Sequence, residues 1–288
     1  MDQGFFQLSN PENTLLPSAS FAVAAIFGAI IGSFLNVVIH RLPLGESIIF
    51  PASHCPSCDA KLGIFDNIPI LSYLILWGRC RACRMPISPR YPAVELLTAI
   101  LYAFVFRHDG WTLALPFDLV FVSAVVVLIF IDAEHMILPN AITYPGLAFA
   151  VLARLLVPNL DGLGLLHEGA LALWPLEAVS LVGAIFGALV GGGSLWLTGW
   201  IWERLRGVEA MGLGDVKMML MVGAYLGWPR TVLTIFLAVL TGSLVGILLM
   251  LRRGERDMQM LLPFGIFLGL AAIISLLVGE TIIAWYLG

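Results

Sequence analysis

The sequence has very few charged residues for its length. Its 288 residues include 15 Lys or Arg and 19 Asp or Glu, so that 12% of the chain is charged while 60% is hydrophobic. Soluble domains carry about 25% charged and about 45–50% apolar residues. The mean hydropathy is +0.96. This composition excludes an ordinary soluble domain and predicts a polytopic membrane protein in contact with membrane lipid, with no nucleic-acid partner.

Basic residues are also absent from the start of the chain. No Lys or Arg occurs within residues 1–17. A cleaved secretory signal peptide has a positively charged region ahead of its apolar core. We therefore expect the first apolar segment to be retained as a membrane helix.

Apolar segments recur along the whole chain, and a helix needs about 20 apolar residues to cross a bilayer. The sequence predicts an all-α membrane protein with about eight transmembrane helices, at roughly 18–39, 92–107, 115–132, 141–157, 175–200, 212–227, 231–251 and 263–286. The longest polar stretch separates the first two helices and is long enough to fold as a small domain. The predicted organisation is therefore 1–40, 41–91 and 92–288.

Basic residues are distributed unevenly among the predicted loops. If the polar stretch 41–91 is cytoplasmic, 12 of the 15 Lys and Arg residues lie on that side, and Arg107, Arg154 and Arg230 lie on the other. Cytoplasmic loops of membrane proteins are enriched in Lys and Arg. This orientation places the N-terminus outside and brings two acidic helix ends, at Asp132 and Asp215, to the cytoplasmic face.

All four cysteines lie in the polar stretch. They form two Cys-x-x-Cys pairs, Cys55 with Cys58 and Cys80 with Cys83, with 21 residues between the pairs. Such spacing is typical of a tetrahedral zinc–thiolate site, and a cytoplasmic location disfavours disulfides. Structural zinc is the favoured interpretation. A catalytic dithiol and four unliganded thiols are the alternatives.

Two acids stand at the ends of apolar segments. Asp132 closes the run 120–131, and Asp215 follows Gly212-Leu-Gly214 and opens the run 216–226. An ionisable residue at membrane depth marks a functional site by default. Gly212 and Gly214 permit close approach of another chain, and we count them as supporting residues. The alternative for each acid alone is a helix cap or a solvated helix end.

Two carboxylates that met at this face could catalyse hydrolysis. At about 4 Å and an effective dielectric constant of about 20, their repulsion is about 4 kcal/mol, so one proton is shared between them. Such a pair acts as a base toward water and as an acid toward a carbonyl. The chain contains neither His-Glu-x-x-His nor Gly-x-Ser-x-Gly, so no motif supports a zinc protease or a serine hydrolase.

The order of these features resembles the bacterial type IV prepilin peptidases, which are membrane aspartic proteases of the GxGD type. The resemblance covers nearly the whole chain. It is carried by the two Cys pairs and by the following motifs: Gly32-Ser-Phe-Leu-Asn36, His40-Arg-Leu-Pro43, Asn67-Ile-Pro69, Arg90-Tyr-Pro92 with Glu95, Asp132 with Leu138-Pro139, Gly212-Leu-Gly-Asp215-Val-Lys217 and Pro263-Phe-Gly265. The sequence departs from the usual pattern at His54, where an Arg is common, and at Asn140, where an Asp is common.

The resemblance implies a reaction and a location. Members of the family remove the basic leader of prepilins and pseudopilins after a Gly at the cytoplasmic membrane face. Many also N-methylate the new N-terminal residue with S-adenosylmethionine. By resemblance, Asp132 and Asp215 are the catalytic pair, residues 41–91 are a cytoplasmic four-cysteine zinc domain, and residues 92–288 are the peptidase domain. The implied location is the bacterial inner membrane, with a periplasmic N-terminus and a role in type IV pili or type II secretion.

Other polar residues admit two interpretations each. Lys217 either tunes the aspartates or extends to lipid headgroups. Glu134 either offers a basic leader an acidic surface or lies in a solvated loop. Glu95 either takes part in methyl transfer or pairs with an Arg of the cysteine loop. Gly187 and Gly191 belong to a Gly-x-x-x-Gly series that predicts close helix packing.

Two functions of other classes are weaker interpretations of the same sequence. Membrane acids near helix breaks occur in proton-coupled transporters, but these carry internal repeats and midplane sites, and no repeat is found in this sequence. A membrane thiol oxidoreductase could use the Cys-x-x-Cys pairs, but two pairs in one cytoplasmic loop fit zinc better.

Overall fold

A computed structural model describes residues 15–55, 57–158, 160, 173–207, 211–253 and 262–287. These ranges contain ten α-helices and no strand, so the predicted all-α fold is confirmed. The helices are Leu15–Arg41 (α1), Leu71–Ile75 (α2), Arg90–Asp109 (α3), Ala114–His135 (α4), Asn140–Leu156 (α5), Leu176–Ala188 (α6), Ser194–Arg206 (α7), Leu213–Leu226 (α8), Trp228–Arg253 (α9) and Phe264–Leu287 (α10). A π-helical turn, Leu189–Gly193, joins α6 to α7.

Five helical segments in the described part of the chain are long and apolar enough to cross a membrane. They are Ala19–Arg41, Ala114–His135, Leu176–Arg206, Trp228–Arg252 and Phe264–Leu287. Helices also form at the other three predicted positions, but α3, α5 and α8 are shorter or less apolar. The protein is therefore a multi-pass membrane protein, and the predicted number of eight spans is not confirmed.

The chain divides into two compact units. The first comprises Met1–Phe34 and Ala52–Trp111, and the second comprises Leu35–Pro51 and Thr112–Gly288. The division falls within α1, whose last residues belong to the second unit.

In the first unit, α1 packs against α3 at two glycines. A Cβ atom at Gly28 would lie 2.7 Å from the Thr98 carbonyl oxygen, and one at Gly32 would lie 2.7 Å from the Glu95 Cα. Real side chains essentially never approach backbone atoms so closely, so only glycine permits this crossing.

The two Cys pairs of the first unit adopt the same local conformation. In each, the backbone N–H of the first cysteine bonds to the carbonyl five residues later, Cys55 to Ala60 and Cys80 to Met85. The residue after the second cysteine has a positive φ, 55° at Asp59 and 63° at Arg84. The same hydrogen bond and the same positive φ therefore recur at both Cys pairs.

Helix α8 lies in the core of the second unit. Nine of its 14 residues are buried, although it is too short to qualify as a spanning segment. Gly187 packs directly on Gly223 of α8, and Gly191 packs on the Met219 carbonyl. The predicted close packing at these glycines is confirmed, and it surrounds α8 with protein instead of lipid.

Candidate active site

Asp132 lies in the last turn of α4. The helix ends because Met136 adopts a left-handed conformation, with φ 52° and ψ 37°, and returns its N–H to the Asp132 carbonyl at 2.9 Å. The chain then turns through Pro139 into α5. Asp132 is buried, with 5% of its surface exposed. A short turn therefore holds a buried acid at a helix end.

Asp215 lies in the first turn of α8. Gly212 precedes the helix in an extended conformation, and the Asp215 N–H bonds to the Gly212 carbonyl at 3.1 Å. Gly214 faces Leu138, since a Cβ there would lie 3.1 Å from the Leu138 Cβ. Helix N-termini favour negative charge. This position thus holds a carboxylate beside the turn that follows Asp132.

The two acids are close enough for the charge of Asp132 to act directly on Asp215. The start of α10 closes the same site. A Cβ at Gly265 would lie 2.7 Å from Asp132 Oδ2 and 3.3 Å from Leu138 Cδ1. The end of α4 and the starts of α8 and α10 therefore converge around the two carboxylates and Leu138.

The Asp132 carboxylate is only partly satisfied by protein groups. The backbone N–H groups of Ile266 and Gly265 interact with it, whereas its Oδ2 is buried and has no hydrogen-bond partner among the described residues. Buried polar atoms almost always have partners, and exceptions occur at functional sites. This oxygen is available to a shared proton, a water molecule or a substrate.

Lys217 and Glu134 each lie two residues from one of the acids in the sequence, and their side chains make different contacts. The Lys217 amine donates to Asn140 Oδ1 at 2.9 Å and lies 5.4 Å from the centre of the Tyr144 ring. It therefore links the starts of α8 and α5. Glu134 lies at the end of α4 with its carboxylate 4.0 Å from His135 Nε2, and both residues are exposed.

The four cysteine sulfurs form one cluster. All four Sγ atoms lie within 4.8 Å of one another, and those of Cys55 and Cys83 are 3.9 Å apart. Zinc–sulfur bonds of about 2.3 Å in a tetrahedron need sulfurs about 3.8 Å apart. Backbone N–H groups of Cys83 and Ala82 lower the pKa of the Cys80 thiol to about 6. The cluster fits a zinc-binding domain.

Glu95 joins α3 to the cysteine-containing loop. Its Oε2 accepts the Ile70 N–H at 2.7 Å, and its side chain is 8% exposed. It also bonds to Ser33 of α1. This backbone N–H group occurs at the start of α2, where Ile70 has a φ of 63°.

The site residues named from sequence omitted Gly265 and Leu138. Both occur in short motifs noted above, Pro263-Phe-Gly265 and Leu138-Pro139. Their roles as spacers depend on contacts between three helices, which no local pattern shows.

Comparison with known protein families identifies two family regions in the chain. The bacterial peptidase A24 N-terminal domain matches residues 26–108, and the type IV leader peptidase family matches residues 119–247. The chain belongs to the type IV leader peptidase family. No solved structure matches it.

Proteins similar to this chain over most of its length are found in several bacteria. A protein of Aeromonas hydrophila is 38% identical over 94% of this chain and 95% of its own length. One of Pseudomonas aeruginosa is 35% identical over 94% of each chain. One of Legionella pneumophila is 31% identical over 94% of this chain and 96% of its own. Each bears the name prepilin leader peptidase/N-methyltransferase.

Proposed function

We propose that the protein is a membrane aspartic endopeptidase that removes the basic leader of type IV prepilins and pseudopilins, cutting after a Gly. The observation that carries this proposal is the convergence of Asp132 and Asp215 from two helix ends, with Asp132 Oδ2 buried and unbonded within the described residues. Family membership and the names of similar proteins support the substrate class.

The proposed hydrolysis uses one proton shared by the two carboxylates. The ionised member removes a proton from water as the water oxygen attacks the scissile carbonyl carbon, and the protonated member donates to the carbonyl oxygen. Collapse of the tetrahedral intermediate breaks the C–N bond: the leaving amine takes the proton gained from water, and one hydroxyl group of the intermediate returns its proton to the other carboxylate as the new carboxyl group forms. The pair thereby returns to its starting protonation state.

The position of the acids suits a substrate with a basic leader followed by an apolar helix. In the proposed orientation, both lie at the cytoplasmic face of the bacterial inner membrane, and the N-terminus is periplasmic. The apolar helix would remain in the lipid while the leader extends into the cytoplasm. The exposed Glu134 would attract that leader, because surface charge of opposite sign favours encounter. Lys217 would hold α8 against α5 through Asn140.

We further propose that the protein N-methylates the new N-terminus with S-adenosylmethionine and that zinc stabilises the cysteine domain, residues 41–91. The names of the similar proteins support methyl transfer, and the sulfur cluster supports zinc. Cys55, Cys58, Cys80 and Cys83 would be the ligands. Glu95 is the proposed contributor to methyl transfer, because it is the buried acid that links this domain to α3.

The proposal is tested with purified full-length protein and a prepilin in detergent, analysed by mass spectrometry. We expect the substrate to lose its leader at the bond after Gly with or without S-adenosylmethionine. The mature product should gain one methyl group only when S-adenosylmethionine is present. Absence of cleavage by folded protein would refute the peptidase proposal, whereas cleavage without methylation would refute the methyl-transfer proposal alone.

Gly265→Ala should lower the rate of cleavage about 10- to 100-fold, because the added methyl group displaces the Asp132 carboxylate and small misplacements of catalytic groups are costly. The carboxylate can move, so the thermal midpoint should change little. Gly193→Ala is the matched control, since a Cβ there meets nothing within 4 Å. A parental rate for Gly265→Ala would show that this contact does not position Asp132.

A further inference from the structure

Helices α4 and α8 are joined by a hydrogen bond far from the candidate active site. The Tyr225 hydroxyl donates to Asp118 Oδ1 at 2.6 Å, and both side chains are buried, 0% and 4% exposed. Asp118 precedes Asp132 in α4 by 14 residues, and Tyr225 follows Asp215 in α8 by 10 residues. At about 1.5 Å per residue, the bond lies about 15–20 Å from the acids along each helix.

Aromatic packing holds the Tyr225 ring independently of its hydroxyl group. The ring stacks on Phe121 of α4, with centroids 4.1 Å apart and planes at 5°. It also lies nearly parallel to the Phe149 ring of α5, at 6.3 Å. Removing only the hydroxyl therefore leaves the ring supported on two sides.

A buried arginine fixes the same end of α8. Arg154 at the end of α5 has no exposed surface and donates to the carbonyls of Ala224 at 3.4 Å and Tyr225 at 2.7 Å. Cationic side chains stabilise the free carbonyls at a helix C-terminus. The C-terminal end of α8 is thus bonded both to α4 and to α5.

Helix α8 packs mainly on α5, α6 and the π-helical turn, including the close contacts at Gly187 and Gly191, and it touches α4 at few points within the described residues. Its fully buried side chains include Met218, Met219 and Met221. Methionine fills space adaptably and specifies packing weakly. A directional hydrogen bond between buried groups can define the relative position of two helices where apolar packing does not.

We infer that Asp118 and Tyr225 are positioning residues that set the separation of Asp132 and Asp215. Each acid is carried on the same helix as one partner of the bond, so the bond, together with the Tyr225–Phe121 stack, links the position of α8 to that of α4. Helices are stiff over this length, and a shift at Tyr225 is transmitted to Asp215. This inference rests on the proposed peptidase function.

The test compares kcat and KM for cleavage of a prepilin by folded enzyme. Tyr225→Phe should lower kcat about 10- to 100-fold and leave KM unchanged, because the acids and not the substrate-binding surface are misplaced. Asp118→Asn keeps an acceptor oxygen and should retain most of the parental kcat. The double variant Asp118→Leu/Tyr225→Phe removes both partners of this bond. Its kcat should be no lower than that of Tyr225→Phe alone.

Thr231→Val is the matched control for loss of a buried hydroxyl. Thr231 is fully buried, and its hydroxyl bonds to Gly227 at 2.6 Å. The Thr231→Val variant should keep the parental kcat and KM. The inference is overturned if Tyr225→Phe has the parental kcat, or if its activity falls only through a higher KM. If Tyr225→Phe does not fold, the same two outcomes are judged on the double variant. Asp132→Asn separates the two proposals: if the parent cleaves, Asp132→Asn does not and Tyr225→Phe is fully active, the positioning role fails and the peptidase proposal stands.

Discussion

Replacing either Asp132 or Asp215 by Asn should lower prepilin cleavage at least about 1000-fold, because proton transfer by positioned side chains contributes about 10²–10⁴-fold and the two acids act as one unit. The double variant should be no slower than either single variant. Initial rates by mass spectrometry, normalised to folded protein, provide the measurement.

The same substitutions should not destabilise the protein. Asp132 is buried beside a second acid, and its Oδ2 has no partner within the described residues. Removing a charge from such a site relieves repulsion, and catalytic residues are often kept at a cost in stability. We expect thermal midpoints equal to or above that of the parent. Asp59→Asn, at an exposed position with positive φ that Asn tolerates, is the charge-removal control. Substantial cleavage by either Asn variant would refute the catalytic pair.

Removing the thiolate cluster should unfold the cysteine domain. In Cys55→Ser or Cys80→Ser, we expect bound zinc to fall from about one per chain to near zero, because tetrahedral sites need all four ligands. Zinc binding supplies about 10–16 kcal/mol in small zinc domains. Apolar side chains of this domain such as Phe65 and Trp77 are largely exposed, at 77% and 88%, so it has little core to replace that contribution.

Cleavage and methylation should respond differently to the loss of the cysteines. The Cys→Ser variants should lose methylation of the mature product while retaining leader cleavage, because the acids belong to the other compact unit. Elemental analysis, mass spectrometry of the product and limited proteolysis of the domain provide the measurements. Ser57→Ala, in the same turn, is the control. Less than about half a zinc per parental chain would contradict the four-ligand site.

Local features of the site were accessible from sequence because they depend on neighbouring residues. The Cys-x-x-Cys pairs determine their own turns, and a polar residue at the end of an apolar run marks a helix end, as at Asp132. The distribution of Lys and Arg predicts that Asp132 and Asp215 lie at one membrane face, and this prediction depends on loop composition alone. The number of membrane spans was less accessible, because a short helix such as α8 is apolar yet buried in protein.

Contacts between residues far apart in the sequence could be found only from the tertiary structure. Gly265 lies 133 residues after Asp132 in the chain, and Tyr225 lies 107 residues after Asp118. Hydrophobic periodicity and turn motifs extend over a few residues, so they cannot reveal a contact between residues this far apart in the sequence. Gly265 resembles an ordinary helix-start glycine until its missing side chain is seen to make room for the Asp132 carboxylate.

The sequence alone determined the class of protein and its helical character, and it predicts the four-cysteine site and the pairing of the two acids, since these follow from composition, charge distribution and short-range spacing. The tertiary structure alone decided how α4, α8 and α10 meet, which oxygen of Asp132 is left without a partner among the described residues, and which polar bond joins the two acid-bearing helices. These depend on close packing between helices that are far apart in the sequence, where the space left by one missing methyl group decides what fits.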